Sequence, residues 1–592
     1  LFFMGIGEYE IIKDSYKNIL VDYYVEKEYA PYAKDIFGLT PEMMGFFSDI
    51  LGVEYPWDKY HQIVARDFVS GAMENTTAVI HGEKAYQAPG QLIDKNLQEN
   101  TIAHELFHHW FGDLVTSESW SNITLNESFA NYSEYLWREH KYGKLDADMH
   151  LFEDIEAYKN GQNSDKHLVR FNYSDKEDMF DLVSYNKGGA ILHMLRNYVG
   201  DEAFFLGLKT YLLENKYKAA EVHQLRLVFE RITGKDLNWF FNQWYFSAGH
   251  PKIDVSYDYN TIQKRVTVNL QQLNATEFEF PLAIDIYENE KKTRHNVFVD
   301  GVDASFTFSY QEQPTLIQIN ADGVLLCEIS ENKVLSDYVF QLKNADNYAH
   351  RRMALLEVAK KQEEKLAFNA VVNAMSDASY EIRILALEKI DLINKFSKKN
   401  AIQKIMKIAN TDEKTLVQAA AIETLGKLTD LELKGIFAKG LESKSYSVIG
   451  KSLVAMYYVD KQQAIKKSRA LPDAIRKILA TPLTRIYVEE KDEKELPFIS
   501  KSVLSGMFLT GDDATKAIYQ KAFTQISESN NSEAIQNLVN DMVVKGTQYK
   551  SFNFDKVVIN LMRRMVQDQK TKNTLNRTKN TAIIKEAMAK LL

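Results

Sequence analysis

The amino-acid sequence predicts a multidomain α+β protein with three consecutive regions, and three observations support this prediction. The chain has 592 residues, which is more than one hydrophobic core usually spans. Its hydrophobic pattern changes from mixed strands and helices to a period of two, and then to a helical period. The last region also repeats internally. We therefore predict domains over residues 1–250, 251–333 and 334–592.

The first region, residues 1–250, mixes strand-like and helix-like segments. Residues 18–27 and 61–69 are rich in β-branched and aromatic side chains, as strands are. Residues 40–52 have the proline near the start and the glycine at the end that are typical of a capped helix. Helical patterns dominate residues 95–245. The first region is therefore predicted to be an α+β domain.

The second and third regions are predicted from their periodicity. Residues 251–333 alternate apolar and polar side chains in several short runs, which predicts a small β-sandwich. Residues 334–592 are predicted to be helical almost throughout. Three segments align at offsets of 35 and 31 residues, which indicates stacked helix pairs of the HEAT or armadillo kind: 379–390, 414–425 and 445–456. Ordinary amphipathic helices that align by chance remain the alternative.

Composition and charge exclude several classes of partner. The chain carries 72 Lys and Arg against 81 Asp and Glu, a net charge of −9, so it lacks the basic footprint of a nucleic-acid-binding protein. No apolar run reaches the roughly 18 residues that a membrane span needs. Cys327 is the only cysteine, which excludes a disulfide framework and a thiolate metal cage.

The segment TIAHELFHHWFGD, residues 101–113, predicts a metal site. If it is helical, His104 and His108 lie one turn apart on the same face. His109 lies roughly 140° around the helix from His104 and is not expected to join them. The pattern is His-Glu-x-x-His, in which two imidazoles bind one zinc ion and Glu105 acts on water.

A zinc ion held by two histidines needs a third protein ligand, and Glu127 is the candidate. It lies 19 residues after His108 in a second helical pattern, so an antiparallel helix hairpin returns it to the histidine face. Asn131 and Glu134 follow on the face of Glu127 and are candidates to accept the free ring N–H groups of the ligand histidines. Solvated or interhelical contacts remain the alternative for both.

Two further segments complete the pattern. Gly-Ala-Met-Glu-Asn occupies residues 71–75, and Ser-Tyr-Asn-Lys-Gly-Gly occupies residues 184–189. With these motifs in this order, the chain resembles the gluzincin aminopeptidases of peptidase family M1, which include aminopeptidase N and leukotriene A4 hydrolase. The resemblance covers the first 250 residues closely, and the later order of sandwich and helical array is similar to the four-domain members. It implies a thermolysin-like catalytic domain.

The chain also departs from the family pattern. Residues 119–130 read SWSNITLNESFA where the family often has WWDDLWLNEGFA, so a pocket wall is expected to differ while Glu127 is unchanged. Family members carry an N-terminal β-domain ahead of the catalytic domain, and none precedes Leu1 in this sequence. We therefore expect this chain to be a fragment of a longer protein.

The resemblance implies a role for each motif residue. His104, His108 and Glu127 hold one Zn²⁺ per chain, and Glu105 is the general base for the attacking water. Tyr185 donates a hydrogen bond to the oxyanion. The implied substrate-binding residues are Gly71, Ala72, Met73, Glu74 and Glu127, with Gly71 and Ala72 pairing with the peptide backbone and Glu74 and Glu127 with the cationic α-amine.

The sequence therefore predicts a zinc aminopeptidase that acts on peptides with a free N-terminus. One alternative is a bifunctional enzyme of the leukotriene A4 hydrolase type, against which the β-sandwich and the long helical array argue. The other is a non-catalytic helical scaffold with a spent peptidase domain, against which the intact motif residues argue. The sequence gives neither the preferred N-terminal residue nor the localisation nor the oligomeric state, for which a monomer is the default.

Overall fold

The computed structural model describes residues 3–161, 163, 165–393, 396, 398–508 and 511–592. The chain forms two compact units, Leu1–Lys398 and Lys399–Leu592. The predicted fold class is confirmed, because sheets and helices in the first part of the chain are followed by a long helical region. The division into three domains at residues 250 and 333 stays a prediction.

A five-stranded sheet opens the first unit. Its strands are Tyr9–Tyr16 (β1), Ile19–Glu26 (β2), Lys59–Ala65 (β3), Ala72–Met73 (β4) and Ala78–Gly82 (β5). They lie in the order β1-β2-β3-β5-β4, in which β2, β3 and β5 are parallel and the two outer strands are antiparallel to their neighbours. This order places the Gly-Ala-Met-Glu-Asn segment at an edge of the sheet.

Helices build most of the rest of the first 250 residues. They are Ala33–Phe37 (α1), Thr40–Leu51 (α2), Pro89–Leu92 (α3), Glu99–Phe107 (α4), Thr124–Tyr142 (α5), Lys144–Asn160 (α6), Gly188–Val199 (α7), Asp201–Asn215 (α8), Val222–Thr233 (α9) and Asn238–Trp244 (α10). Two short parallel strands, Val115–Ser117 (β6) and Lys218–Ala220 (β7), pair beside them.

The helix α5 is the centre of this region. It packs against α4, α6 and α7, and its residues are buried without interruption from Thr124 to Ser133. Over these turns the helix is therefore buried on all sides, which is the pattern of a helix enclosed by others. Because α4 and α5 face one another, the predicted ligands on them are brought into one buried layer.

The alternating segment folds into two sheets that form a β-sandwich. Its strands are Lys252–Asn260 (β8), Arg265–Gln272 (β9), Phe280–Glu288 (β10), Lys291–Val299 (β11), Asp303–Ser309 (β12), Leu316–Ile319 (β13) and Glu328–Glu331 (β14). One sheet has the order β12-β9-β8-β14 and the other the order β11-β10-β13. Val266, Val268 and Leu270 of β9 are buried, as the inward face of an alternating strand should be.

Four consecutive helices follow the sandwich within the described part of the first unit. They are Leu335–Asn344 (α11), Tyr348–Ala359 (α12), Lys365–Ala374 (α13) and Tyr380–Lys389 (α14). Helix α12 packs on α6, where the rings of Phe152 and Tyr348 meet edge to face with centroids 5.5 Å apart. This contact explains why the first compact unit extends to Lys398.

The described residues of the second unit are helical or lie in connections between helices. The helices are Lys398–Thr411 (α15, whose first residue belongs to the first unit), Thr415–Gly426 (α16), Lys434–Gly440 (α17), Tyr446–Val459 (α18), Lys461–Ala470 (α19), Asp473–Ile478 (α20), Ala480–Glu489 (α21), Leu496–Ile499 (α22), Val503–Phe508 (α23), Asp513–Ser527 (α24), Ser532–Gln548 (α25), Phe554–Lys572 (α26) and Arg577–Ala589 (α27). Helices α16 and α18 pack closely, because a Cβ at Gly426 would lie 2.8 Å from that of Ala455. The repeat architecture stays a prediction.

The two units carry opposite net charges. The first contains 60 Asp and Glu against 40 Lys and Arg, which gives −20 with histidine neutral. The second contains 21 Asp and Glu against 32 Lys and Arg, which gives +11. Among the described residues, no helix combines the length and the apolarity that crossing a membrane requires.

Candidate metal centre and active site

Three potential ligand atoms meet between α4 and α5. Nε2 of His104 lies 3.5 Å from Oε2 of Glu127, and Nε2 of His108 lies 3.4 Å from the same oxygen. Zinc bonds of about 2.0–2.1 Å in a tetrahedral arrangement place neighbouring ligand atoms about 3.3–3.4 Å apart. The spacing and the chemistry of this donor set, two imidazoles and one carboxylate, therefore fit a zinc ion.

The second ring nitrogen of each histidine is held by another group. Nδ1 of His104 lies 3.0 Å from Oε1 of Glu134, and Nδ1 of His108 lies 3.1 Å from the backbone oxygen of Phe111. When these nitrogens carry the ring proton, the Nε2 atoms keep their lone pairs toward Glu127. Side-chain spacing in the sequence pointed to Glu134, but a backbone acceptor such as that of Phe111 leaves no such signal.

The structure places Asn131 differently from Glu134. Its side chain packs against Gly189, where an added Cβ would lie 2.1 Å from Oδ1 of Asn131. Burial raises the pKa of Asp154 on α6 to about 6, and the nearby amide of Asn131 opposes this shift. The structure thus brings Glu134 to His104 and turns Asn131 toward α6 and α7. The role of either residue in holding the ligands stays a prediction.

Glu105 is buried beside the ligands with a carboxylate oxygen available. Its Oε2 makes no hydrogen bond within the part of the chain that the structure describes. Burial raises the pKa of Glu105 to about 8; His104 and His108 oppose this shift, while the carboxylates of Glu74 and Glu127 add to it. A carboxyl group with a pKa near neutrality can both accept and donate a proton at pH 7.

The charge around the ligands favours a cation. Burial alone would raise the pKa of Glu127, but His108 and His104 outweigh that effect and lower it, so Glu127 is ionised. Burial would likewise lower the pKa of His108, but Glu74 and Glu127 raise it to about 9. Positive charge is therefore stabilised at the point where the three ligand atoms meet.

Tyr185 lies over His104 on a π-helical turn, Val183–Lys187, which leads into α7. The two rings are nearly parallel, with an angle of 10° and centroids 5.8 Å apart. Burial, and then the charge and hydrogen bonding of Glu127, raise the pKa of Tyr185 far above its usual range. Its hydroxyl therefore keeps its proton at neutral pH and is available as a donor.

The π-helical turn depends on close packing against α5. A Cβ at Gly188 would lie 1.8 Å from Oγ of Ser128, and Ser128 donates to the backbone oxygen of Ser184 at 2.7 Å. Only a glycine lets the turn approach this closely. The sequence motif pointed to Tyr185, but nothing in its periodicity predicted a π-helical turn.

The Gly-Ala-Met-Glu-Asn segment borders the same site. Ala72 and Met73 pair with β5 on one side, and the opposite edge of β4 is unpaired in the described sheet. The backbone oxygen of Gly71 accepts from the N–H of Gly82 at 2.9 Å. Carboxylate oxygens of Glu74 and Glu105 and a ring nitrogen of His108 lie within 4.8 Å of one another, so Glu74 is next to the ligands.

His109 faces away from the ligands and has a structural role. Its Nδ1 lies 3.1 Å from the backbone oxygen of Glu105, and its Nε2 accepts from the backbone N–H of Thr77 at 3.0 Å. Burial lowers the pKa of His109 to about 3, so the ring is neutral. It joins the end of α4 to the segment that follows Glu74.

Comparison with known proteins shows what this region is similar to. Residues 36–244 match the family described as "Peptidase family M1 domain". These residues, about a third of the chain, are thus similar to the domain of this peptidase family. The matched range includes all the predicted site residues, from Gly71 to Tyr185.

Individual relatives show the same similarity over part of their length. The chain is 32% identical over 302 residues to "Tricorn protease-interacting factor F2" of Thermoplasma volcanium, which covers 49% of this chain and 38% of that protein. It is 31% identical over 296 residues to "Probable aminopeptidase 1" of Saccharolobus solfataricus, covering 48% and 38%. The matches therefore span less than half the length of these relatives.

A solved structure shares the fold. Aminopeptidase A of Legionella pneumophila, crystallised with aspartic acid, matches with a TM-score of 0.68 and 15% sequence identity. The match covers 98% of this chain and 77% of that chain. At this identity the similarity concerns the fold alone.

Proposed function

We propose that this chain acts as a zinc-dependent aminopeptidase, which hydrolyses the first peptide bond of a peptide with a free N-terminus. The observation that carries the proposal is the convergence of His104, His108 and Glu127 beside Glu105, whose Oε2 has no hydrogen-bond partner in the described part of the chain. These three ligands would hold one zinc ion per chain. When bound, the ion acts as a Lewis acid that acidifies water and polarises a carbonyl group.

Glu105 serves as the general base in this proposal. It takes a proton from the attacking water and passes it to the departing amine. Its free Oε2 has no competing donor among the described residues, and its pKa of about 8 supports proton transfer in both directions near neutral pH. Tyr185 donates a hydrogen bond to the oxyanion that develops on the substrate carbonyl.

Glu74 and the edge of β4 account for attack on the first peptide bond. An extended substrate adds to the unpaired edge at Gly71, Ala72 and Met73, as a further strand does. Its cationic α-amine then pairs with Glu74, and Glu127 contributes a second negative charge. Because Glu74 lies next to the metal ligands, there is room for only one substrate residue between Glu74 and the bond to be cleaved. That residue is the one that carries the free amine.

Zinc content and hydrolysis of an aminoacyl-anilide test the proposal. We expect about one zinc ion per chain in the wild type, loss of zinc in Glu127→Ala, and retention of zinc without turnover in Glu105→Gln. Glu99→Gln is the matched control, because Glu99 is a buried glutamate on the same helix that contacts Trp137 and Tyr142 instead. It should retain both properties.

Two results would contradict the proposal. Loss of zinc in Glu105→Gln would mean that Glu105 is a ligand and not the base. Equal hydrolysis of an anilide whose α-amine is acetylated would mean that recognition of the amine by Glu74 plays no part, and the enzyme would not be an aminopeptidase.

A further inference from the structure

We propose that His150, on α6, is a positioning residue that fixes Glu134 and thereby orients the metal ligand His104. The inference rests on the proposed function, because it concerns the same zinc site. His150 lies 23 residues beyond Glu127 and outside the four motifs. It is 7% exposed, and it is connected to the ligand His104 through Glu134.

The orientation of the His150 ring follows from a sequence of directed hydrogen bonds. Nη1 of Arg138 donates to Oδ1 of Asn100 at 3.1 Å, and Arg138 is held in turn by Asp146. Because arginine can only donate, the amide oxygen of Asn100 must face it, and the amide nitrogen faces His150. That nitrogen lies 3.3 Å from Nδ1 of His150. Nδ1 is therefore an acceptor, and Nε2 carries the ring proton.

The protonated Nε2 points at carboxylates. It lies 3.3 Å from Oε2 of Glu134 and 3.7 Å from Oδ2 of Asp154. The other oxygen of Glu134 lies 3.0 Å from Nδ1 of His104. One oxygen of the Glu134 carboxylate thus contacts the ring of His104, and the other lies opposite Nε2 of His150, which approaches within ion-pair distance and makes no hydrogen bond of regular geometry among the described residues. The two histidines together therefore limit how the carboxylate can rotate. Without His150, one oxygen of Glu134 would lose the ring nitrogen opposite it, and the carboxylate could rotate away from His104.

Asp154 extends the arrangement to the other side of the site. It lies one helical turn after His150 on α6, and its Oδ1 accepts from Nδ2 of Asn186 at 2.8 Å. Asn186 is the neighbour of Tyr185 in the π-helical turn. The same face of α6 therefore braces both the ligand His104 and the segment that carries the tyrosine.

Groups that hold a ligand histidine keep its lone pair on the metal and raise its basicity, and their loss typically weakens metal affinity about 10–100-fold. We therefore expect His150→Phe, which keeps a buried ring and removes the donor, to weaken zinc binding by roughly this factor. His150→Gln can still present an N–H group to Glu134, so its loss of affinity should be smaller. A residue that served the packing alone would show the opposite order.

The experiment measures the zinc dissociation constant of the full chain by competition with a chromogenic chelator, and it needs no turnover. His193→Gln is the control, because His193 is an equally buried histidine, 4% exposed, that contacts Tyr132 instead of a group at the metal. Its affinity for zinc should equal that of the wild type. If His150→Phe does not fold, Asn100→Leu replaces it, since this change removes the donor that fixes the ring proton on Nε2; its affinity should fall below that of the control.

The possible outcomes separate this inference from the proposed function. A wild-type chain that binds no zinc would refute the proposed function and this inference with it. A wild-type chain that binds zinc tightly, together with a His150→Phe or Asn100→Leu variant of equal affinity, would overturn this inference and leave the proposed function standing. Equal weakening in His150→Phe and His193→Gln would also overturn it, because the effect would then reflect general destabilisation.

Discussion

The two compact units differ sharply in the side chains they use. All 13 histidines, all six tryptophans and the single cysteine, Cys327, lie in the first unit, and the second unit contains none of these residues. The first unit buries charged and imidazole groups at the candidate site, which is costly unless each is paired. The buried core of the second unit is mainly aliphatic, with phenylalanine and tyrosine rings such as Phe437, Tyr487 and Phe523 among it. The sequence of the first unit therefore contains residue types that indicate a chemical site, whereas the sequence of the second unit indicates its helices through periodicity alone.

This difference provides a way to observe the units separately. Tryptophan fluorescence reports on the first unit alone, because every tryptophan lies there. Far-UV circular dichroism reports on the helices of both.

Among single substitutions, Leu453→Ala should have the largest effect, and it tests whether the second unit loses stability independently. Leu453 of α18 is fully buried, so its truncation should lower the free energy of unfolding of the second unit by about 2–5 kcal/mol. In denaturant, the helical transition should move to a lower midpoint while the fluorescence transition and the zinc content stay unchanged. Equal shifts of both transitions would show that the two units unfold as one.

Tyr185→Phe should lower kcat by about 10²–10³, which corresponds to about 2.7–4 kcal/mol, because the proposed donor to the oxyanion is lost. Zinc content and fluorescence should not change. Tyr211→Phe is the control, since Tyr211 is buried in α8 of the same unit and lies outside the proposed machinery. A change confined to KM would assign Tyr185 to substrate binding.

Acid should destabilise the first unit through its buried histidines. Burial lowers the pKa of His81, His109 and His193 to about 3, and that of His350 to about 4. In the unfolded chain these groups bind protons below about pH 6.5, so each costs about 1.4 kcal/mol of stability per pH unit as the pH falls from 6.5 toward 4. Above pH 6.5 these histidines are neutral in both the folded and the unfolded chain, so their burial costs no stability through protonation.

Fluorescence-monitored urea unfolding at pH 7 and pH 5 measures this effect. His193→Gln should reduce the loss of stability between the two pH values by about 1.4 kcal/mol per pH unit below 6.5. If the variant loses as much stability as the wild type between the two pH values, the pKa of His193 is the same in the folded and unfolded states.

Helix caps should give the smallest effects, and they allow a matched comparison between the units. Oγ of Ser445 accepts from the N–H of Val448 at 3.0 Å in the second unit, whereas Oγ of Ser379 accepts from Ile382 at 3.5 Å in the first. Replacement of such a cap by alanine typically costs about 0.5–2 kcal/mol. Thermal unfolding should show a greater loss for Ser445→Ala than for Ser379→Ala, and the reverse order would mean that cap geometry does not set the cost.

Much of the candidate site could be predicted because its spacing follows helical geometry. His104 and His108 are one turn apart, and Glu134 is two turns after Glu127, so period alone places each pair on one face. His150 could not be found in this way. Its one local signal is the four-residue spacing to Asp154, which is common on solvated helices, and its partners come from other helices.

The fold was predictable to a similar extent. Alternation in the sequence predicted a β-sandwich, and seven described strands in two sheets follow the first region. The extension of the first compact unit to Lys398 was not predictable. It depends on the packing of α12 against α6, through Phe152 and Tyr348, and a contact over so many residues leaves no periodic signal.

Because the two units carry opposite net charges, the electrophoretic mobility of the intact chain reflects only the sum of the two. At −9 the whole chain is only mildly acidic, although its parts carry −20 and +11. After a single cut between Lys398 and Lys399, the two products would migrate toward opposite electrodes at neutral pH once they are separated in urea. One would then adsorb to an anion exchanger and the other to a cation exchanger, so a nick at this boundary would be visible in a urea gel without detergent.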